Sequence, residues 1–452
     1  MENSRTKMPL LPIEERISSF KEVELGYSRG KALEEASRCL ECKEARCVQG
    51  CAVGIDIPSF IKEIKLGNEG KAMEIIERSN PFPRVCGRIC QHEMQCEKGC
   101  ILNAKGNAIS IGALERYVSD NSNSTQVQME KSGKRIAVIG SGPSGLSVAK
   151  RLALLGYSVK VLEAGTSFGG IIKYGVPEFR LPKSIVEEEI RGLIALGVEF
   201  EPHAHVNEAE DFDALLTEFD AVFFGVGIGE ARRLEIEGKH LEGIFPAVKF
   251  LVNVNMQLGE SVINRGEKVA IIGSGFVGLD AARTVIRLGG EATIVARESA
   301  EESLIGEGQL KEAEEEGVKF MFGYTPIEFL GNVKLGAVKI ANAVKIRRKD
   351  GRIDYKAGRE RSEIAADKAI VAIGQRPKIN KLLLDRIGHK KGLISAEDNT
   401  KTRLSGVFAA GDCVTGPRTV IEAISFGNKA AQDIDEYLHN KEPLNEHNGG
   451  AK

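Results

Sequence analysis

The chain has 452 residues, 42% hydrophobic and 28% charged, with 62 basic against 64 acidic side chains and a formal net charge of −2. That length supports several cores, so two or three domains are expected, and the even charge excludes the basic surplus needed to grip nucleic acid or an anionic membrane. No stretch approaches the ~18 consecutive apolar residues of a membrane span and the start, MENSRTKMPLLPIEER, has no apolar signal-peptide core, which leaves the cytoplasm as the expected location.

Residues 13–118 read as helices and cysteine-bearing loops, with apolar positions at helical spacing in 57–64 and 72–76. Of the nine cysteines, eight lie between Cys39 and Cys100. In a secreted mini-protein such crowding means a disulfide framework, but in a long chain without an export signal it favours metal binding. The first quartet is Cys39, Cys42, Cys47 and Cys51, and the second is Cys86, Cys90, Cys96 and Cys100. Soft thiolates at these spacings select zinc or iron–sulfur clusters. Structural zinc favours paired C-x2-C knuckles, of which Cys39–Cys42 is the single instance, so iron–sulfur is the expectation and zinc the alternative. A polar stretch starting at Ser119-Asp-Asn reads as a linker that ends this helical region near residue 130.

From Arg135 the texture changes to strand (136–139), glycine turn, helix (145–155) and strand (159–162), a βαβ unit. The segment 134–164 then repeats without a gap at 267–297, so two nucleotide-binding units are expected. In the first turn, Gly140 permits the tight bend, Gly142 lets a pyrophosphate approach the backbone, and Gly145 packs helix on strand, with Pro143 and Ser144 counted among the candidate nucleotide contacts. Glu163, at the end of the second strand, is placed to accept from ribose hydroxyls. The second turn, Gly273-Ser274-Gly275-Phe276-Val277-Gly278, keeps the glycines but has Ala296 in the place of Glu163, followed by Arg297. Replacing an acid by a guanidinium suits a 2′-phosphate and leans towards NADPH, whereas the adjacent Glu298 pulls towards NADH.

Near the C-terminus a short apolar strand ends in Gly411-Asp412, and Thr419 opens a helix. Neither 168–174 nor the second unit carries a cysteine pair, so thiol redox chemistry is not expected, and Cys413 reads as a small buried residue. His203 and His205 read as solvated, and the acidic run 312–316 as an exposed helical face.

The segment 406–412 resembles the two-dinucleotide-binding flavoproteins. The resemblance implies an α/β fold in which a helical iron–sulfur domain (1–130) precedes an FAD domain in two pieces (134–250 and 375–440), with an NAD(P) domain (265–372) inserted. It adds Gly170, Arg180, Val206, Gly411, Asp412 and Thr419 to the flavin site, and lays the loop bearing Tyr174 and Arg180 over the flavin. With RCLECKEARCVQGC, NPFPRVCGRICQHEMQCEKGC, YGVPEFRLPK at 174–183 and GVFAAGDCVTGPRTVIEA, nearly the whole chain resembles the glutamate synthase small-subunit family. The reductase arm of dihydropyrimidine dehydrogenase and the large subunit of NADH-dependent ferredoxin:NADP oxidoreductase share these motifs.

That resemblance implies FAD, NADP (or NAD) and two 4Fe-4S clusters held across the quartets. Cys39, Cys42, Cys47 and Cys100 would hold one, and Cys51, Cys90 and Cys96 the other with Glu115, leaving Cys86 a spectator. Spacing alone leaves open one cluster per quartet, with Cys86 in place of Glu115. The implied activity is NAD(P)H oxidation, or NAD(P) reduction, with electrons passing between nicotinamide, FAD and the clusters to a partner redox subunit of glutamate synthase large-subunit type. The alternatives are the NADP-binding subunit of an electron-bifurcating transhydrogenase or hydrogenase-type complex, and a non-catalytic electron relay. No acid–base catalytic residue is identified. Three domains use up the chain, so the final acceptor is expected on the partner.

Overall fold

A computed structural model of the chain describes residues 4–123, 129–206, 208–257, 262–348, 351, 353–376 and 378–440. They form two compact units, one from Met1–Ser124, Ile171–Glu187 and Gly229–Arg376, the other from Thr125–Gly170, Glu188–Ile228 and Pro377–Lys452.

The N-terminal part of the first unit is helical. Helix Ile57–Lys65 starts where the Asp56 carboxylate accepts from the Ser59 N–H, an N-cap bond, with proline in its first turn. Its apolar stripe sends Phe60, Ile61 and Ile64 into a core shared with Ile76, Leu114 and Val118, and Cys39, Cys47, Cys51 and Cys100 pack at the margin of that core. Helix Ile111–Asn121 runs on through the start of the expected linker. Ser119 is buried there, and its carbonyl accepts from Arg84 while Arg88 forks onto Asp120. A polar composition had concealed a helix face turned towards helix Pro83–Ile89. Residues 124–128 of that stretch lie outside the described residues.

The rest of the first unit is built on a parallel sheet in the order Ile244–Pro246, Lys368–Val371, Lys268–Ile272, Glu291–Ala296, Lys319–Phe322. An antiparallel meander, Tyr324–Gly331, Leu335–Arg347 and Ile353–Ala365, accompanies it. Ile244–Pro246, assigned from sequence to the flavin domain ending at 250, is an edge strand here, with Phe245 opposite Ile370. The chain enters this unit at Gly229, directly after Gly225-Val-Gly227.

The second unit carries a parallel sheet in the order Val407–Ala409, Ala221–Phe224, Arg135–Ile139, Ser158–Leu162, Glu199–Glu201. Its outermost strand returns to the sheet after the long excursion of residues 229–376, so the second Rossmann-like sheet is inserted within the first. The 21-residue helix Val420–Asn440 packs on helix Pro143–Leu154. The fold is α/β, with a helical N-terminal region and two Rossmann-like sheets. Among the described residues, no helix is long and apolar enough to cross a membrane.

Candidate functional site

Two close approaches decide how the cysteine loops meet. A methyl group on Gly99 would lie 2.5 Å from the carbonyl oxygen of Arg46, and one on Gly50 would lie 2.6 Å from that of Gln95. The first contact sets Cys100 beside Cys47, and the second sets Cys51 beside Cys96, so the quartets interleave. Cys39, Cys42, Cys47 and Cys100 line one cavity of about 310 Å³, walled by apolar groups including Ile57, Ile61, Ile101 and Ile111. Cys51, Cys90 and Cys96 instead all feel the charge of Glu115.

The cavity is several times the ~30 Å³ that one water occupies. Among the described residues, no three His, Cys, Asp or Glu side chains are close enough together to hold a single metal ion. Burial pushes the Cys47 thiol up to about 11 and raises those of Cys39, Cys51 and Cys96, while the Cys90 thiol is raised by its bond with Cys86 and by burial. Thiols in such surroundings ionise on binding a cationic centre, with release of their protons. Soft donors around an apolar chamber fit an iron–sulfur cluster.

Glu115, on helix Ile111–Asn121, is buried, and its Oε1 accepts from Asn80 Nδ2 at 2.7 Å. Burial pushes its carboxyl up to about 7. Cys86 is fully buried, with its Sγ 3.6 Å from Asn80 Oδ1. Sequence reasoning missed Asn80, because an asparagine before Pro81 reads simply as a turn. It also passed over His92, whose half-buried ring lies against Gly112.

The two nucleotide turns are near copies. Gly140 and Gly273 have φ of 97° and 110°, the left-handed region that a side chain disfavours. A methyl group on Gly145 or Gly278 would lie 2.0 or 2.1 Å from the carbonyl oxygen of Gly140 or Gly273, so both third glycines are required by packing. The middle glycines face open space: nothing stands within 4 Å of a methyl on Gly275, and on Gly142 only the Gly225 oxygen at 3.9 Å. Each N-caps its helix, Pro143–Leu154 or Phe276–Arg287, where free N–H groups and the helix dipole favour an anion.

Glu163 Oε2 accepts from the Ser141 N–H at 3.0 Å and from its hydroxyl, and Oε1 accepts from Gly165 N–H at 2.7 Å. At the second nucleotide turn it is Glu298, not the Ala296 position, that takes the corresponding bond from the Ser274 hydroxyl. The Arg297 guanidinium lies over the ring of Tyr355, 5.3 Å from its centroid.

Around the first turn, Gly170 lies against Gly142, and Gly411 packs on the Ser144 hydroxyl. Val206 packs beside the core of that sheet. Asp412 accepts from the Arg418 N–H at 3.1 Å, and burial pushes its carboxyl up to about 6. Thr419 and Glu422 form a reciprocal cap at the start of helix Val420–Asn440. Cys413 is buried, its thiol donating to the Phe224 and Ala410 carbonyls. Arg180, expected at the flavin, places its Nη1 at 2.8 and 3.0 Å from the two Asp280 oxygens, on the helix that follows the second turn. Its loop is pinned by Lys183 Nζ, which donates to the carbonyls of Ile172, Val176 and Leu181.

Residues 16–127 match the family described as dihydropyrimidine dehydrogenase domain II, 4Fe-4S cluster. Residues 134–427 match the pyridine nucleotide-disulphide oxidoreductase family. Fold, turns and interleaved thiols thus define an NAD(P)H-dependent iron–sulfur flavoprotein oxidoreductase, with 4Fe-4S, FAD and NADP as its cofactors. The glutamate synthase [NADPH] small chain of Escherichia coli (strain K12) is 33% identical over 467 residues, spanning 96% of this chain and 97% of that protein. The NAD-dependent dihydropyrimidine dehydrogenase subunit PreT of Escherichia coli O157:H7 is 33% identical over 415 residues, spanning 90% of this chain and 94% of that one. Mycobacterium tuberculosis FprA in complex with NADPH shares the fold, with a TM-score of 0.58 and 20% identity over 68% of this chain and 85% of that one. The chain belongs to the glutamate synthase small-chain family.

Proposed function

We propose that the chain is a cytoplasmic subunit that passes electrons between nicotinamide, FAD and two 4Fe-4S clusters to a partner redox subunit of the glutamate synthase large-subunit kind. Nicotinamide exchanges a hydride and an iron–sulfur cluster a single electron, so a flavin supplies the conversion between them. In this reading Cys39, Cys42, Cys47 and Cys100 hold one cluster and Cys51, Cys90, Cys96 and Glu115 the other. The turn at Gly140, Gly142 and Gly145, with Glu163, Gly411 and Asp412, holds FAD, and the turn at Gly273, Gly275 and Gly278, with Arg297, holds NADPH.

The observation that carries the reading is the interleaving of the quartets through Gly50 and Gly99, which builds two donor sets in a chain that also holds two dinucleotide turns. Full-length similarity to a glutamate synthase small chain supports the choice of partner.

The test is anaerobic isolation with iron, sulfide and flavin analysis, then flavin bleaching by NADPH, then addition of a glutamate synthase large chain. Iron and sulfide near eight each per chain, one flavin, bleaching, and glutamate formation on mixing are expected. Zinc in place of iron, or a flavin that NAD(P)H leaves oxidised, overturns the proposal. Bleaching without transfer to the large chain overturns the partner alone.

A further inference from the structure

Asn80 is completely buried, and three groups converge on its amide. Its Oδ1 accepts from the Phe82 N–H at 3.0 Å, which fixes the orientation of the amide and leaves Nδ2 as the donor to Glu115 Oε1 at 2.7 Å. The same Oδ1 accepts from the Cys86 thiol at 3.6 Å. Cys86 lies one helical turn before Cys90, its backbone oxygen bonded to the Cys90 N–H, and its thiol is in reach of the Cys90 sulfur. A second candidate donor therefore stands beside the very set that Glu115 faces.

We infer that Asn80 selects the fourth donor of the second cluster, presenting the Glu115 carboxylate to it and holding the Cys86 thiol on its own amide oxygen. The inference rests on the reading of Glu115 as a ligand and deepens it. Asn80 is a positioning residue. Its amide occupies one carboxylate oxygen, and among the described residues no hydrogen bond reaches Oε2, which remains for the cluster. The hydrogen bond to the amide oxygen engages the Cys86 sulfur and orients it on Asn80. Removing the amide strips a buried carboxylate of its donor, which is costly, and frees the competing sulfur at the same stroke.

The test uses the full holo-chain, read by electron paramagnetic resonance of the reduced protein and by iron release to a chelator. Asn80→Ala is expected to change one cluster's spectrum to that of an all-cysteine cluster with iron retained. Adding Cys86→Ser to it should speed iron release at least tenfold, within the ~10–100-fold range for loss of an outer-sphere partner. Cys86→Ser alone should leave the spectrum as in the wild type. Asn80→Asp keeps the acceptor for Phe82 and Cys86 but loses the donor to Glu115, so it serves where the alanine variant does not fold. It should release iron at least tenfold faster without an all-cysteine spectrum. A wild-type spectrum and release rate in the Asn80 variants, or an altered spectrum in Cys86→Ser alone, overturns the inference. Glu115→Ala separates the two levels. If it leaves the spectrum unchanged, the ligand reading itself fails; if it alters the spectrum while the Asn80 variants do not, only the selector role fails.

Discussion

The middle and last glycines of the second turn do different work, and alanine at each should fail in opposite ways. At Gly278 the new methyl would sit 2.1 Å from the Gly273 carbonyl oxygen and 3.4 Å from the Ala372 Cβ, so backbone must move. Overpacking of this kind costs about 1–3 kcal/mol and should lower the melting temperature by several degrees. At Gly275 the backbone is φ −70°, ψ 173°, which alanine adopts freely, and no atom lies within 4 Å of its Cβ. The lower entropy of the unfolded chain gains about 0.4–1 kcal/mol, and the poorer N-cap loses a similar amount, so stability should stay within about 0.5 kcal/mol. The methyl would instead stand over the N–H groups offered to the pyrophosphate. Losing one charge-assisted hydrogen bond, at about 1.5–3 kcal/mol, raises the KM for NADPH about 10- to 150-fold. Thermal melts, iron content and flavin bleaching against NADPH concentration read both effects. If Gly275→Ala melts as early as Gly278→Ala, or keeps the wild-type KM, the division of labour argued from the geometry is wrong.

Serine in place of Cys47 or Cys100 should remove one and the same cluster signal, and serine in place of Cys51 or Cys96 the other; pairing of Cys47 with Cys51 would refute the interleaved assignment. Asp412 has its carboxyl pushed from 3.8 to about 6 by burial. The folded, flavin-free protein therefore binds more protons than the unfolded chain across that window, and its stability should fall as pH rises from about 4 to 6. The fall is at most about 1.4 kcal/mol per pH unit. Denaturant melts should show the fall become shallower in Asp412→Asn by that share, and a constant difference between the two proteins from pH 4 to 6 would contradict the burial argument. Arg297→Ala should reduce the ratio of kcat/KM for NADPH over NADH at least tenfold, the worth of one phosphate contact; an unchanged ratio moves the 2′-phosphate elsewhere.

What the sequence made legible is what is local. Strand, glycine turn and helix follow one another within about thirty residues in each unit, so the roles of Gly140 and Gly145 were readable from spacing and steric demand alone. The helix through Ser119 was not, because Arg84 and Arg88 from another helix bond the Ser119 carbonyl and the Asp120 carboxylate, and composition carries no trace of such partners. Ile244–Pro246 was misplaced for the same reason: a three-residue strand owes its existence to residues 369–371, more than a hundred positions away. The cysteines were visible as a metal site, but their grouping depends on Gly50 meeting Gln95 and Gly99 meeting Arg46, and resemblance alone pointed to it. Asn80 had no signal of its own, since its work is done through partners at 82, 86 and 115.

The apparent conflict between Arg297 and Glu298 also dissolves once the turn is seen whole. Both nucleotide units close their glycine turn with a carboxylate that accepts from the serine following the first glycine, Glu163 on Ser141 and Glu298 on Ser274. The difference is one of register. Glu163 follows directly on strand Ser158–Leu162, whereas Glu298 comes two residues after strand Glu291–Ala296 and leaves Arg297 between strand and clasp. The acid is drawn onto the turn while the guanidinium swings onto Tyr355, a side chain from the meander strand Ile353–Ala365. The cation–π contact holds the guanidinium over that ring. A pair that in isolation would cancel is thus separated, the carboxylate on the turn and the guanidinium over Tyr355, which is the arrangement the proposed 2′-phosphate contact needs.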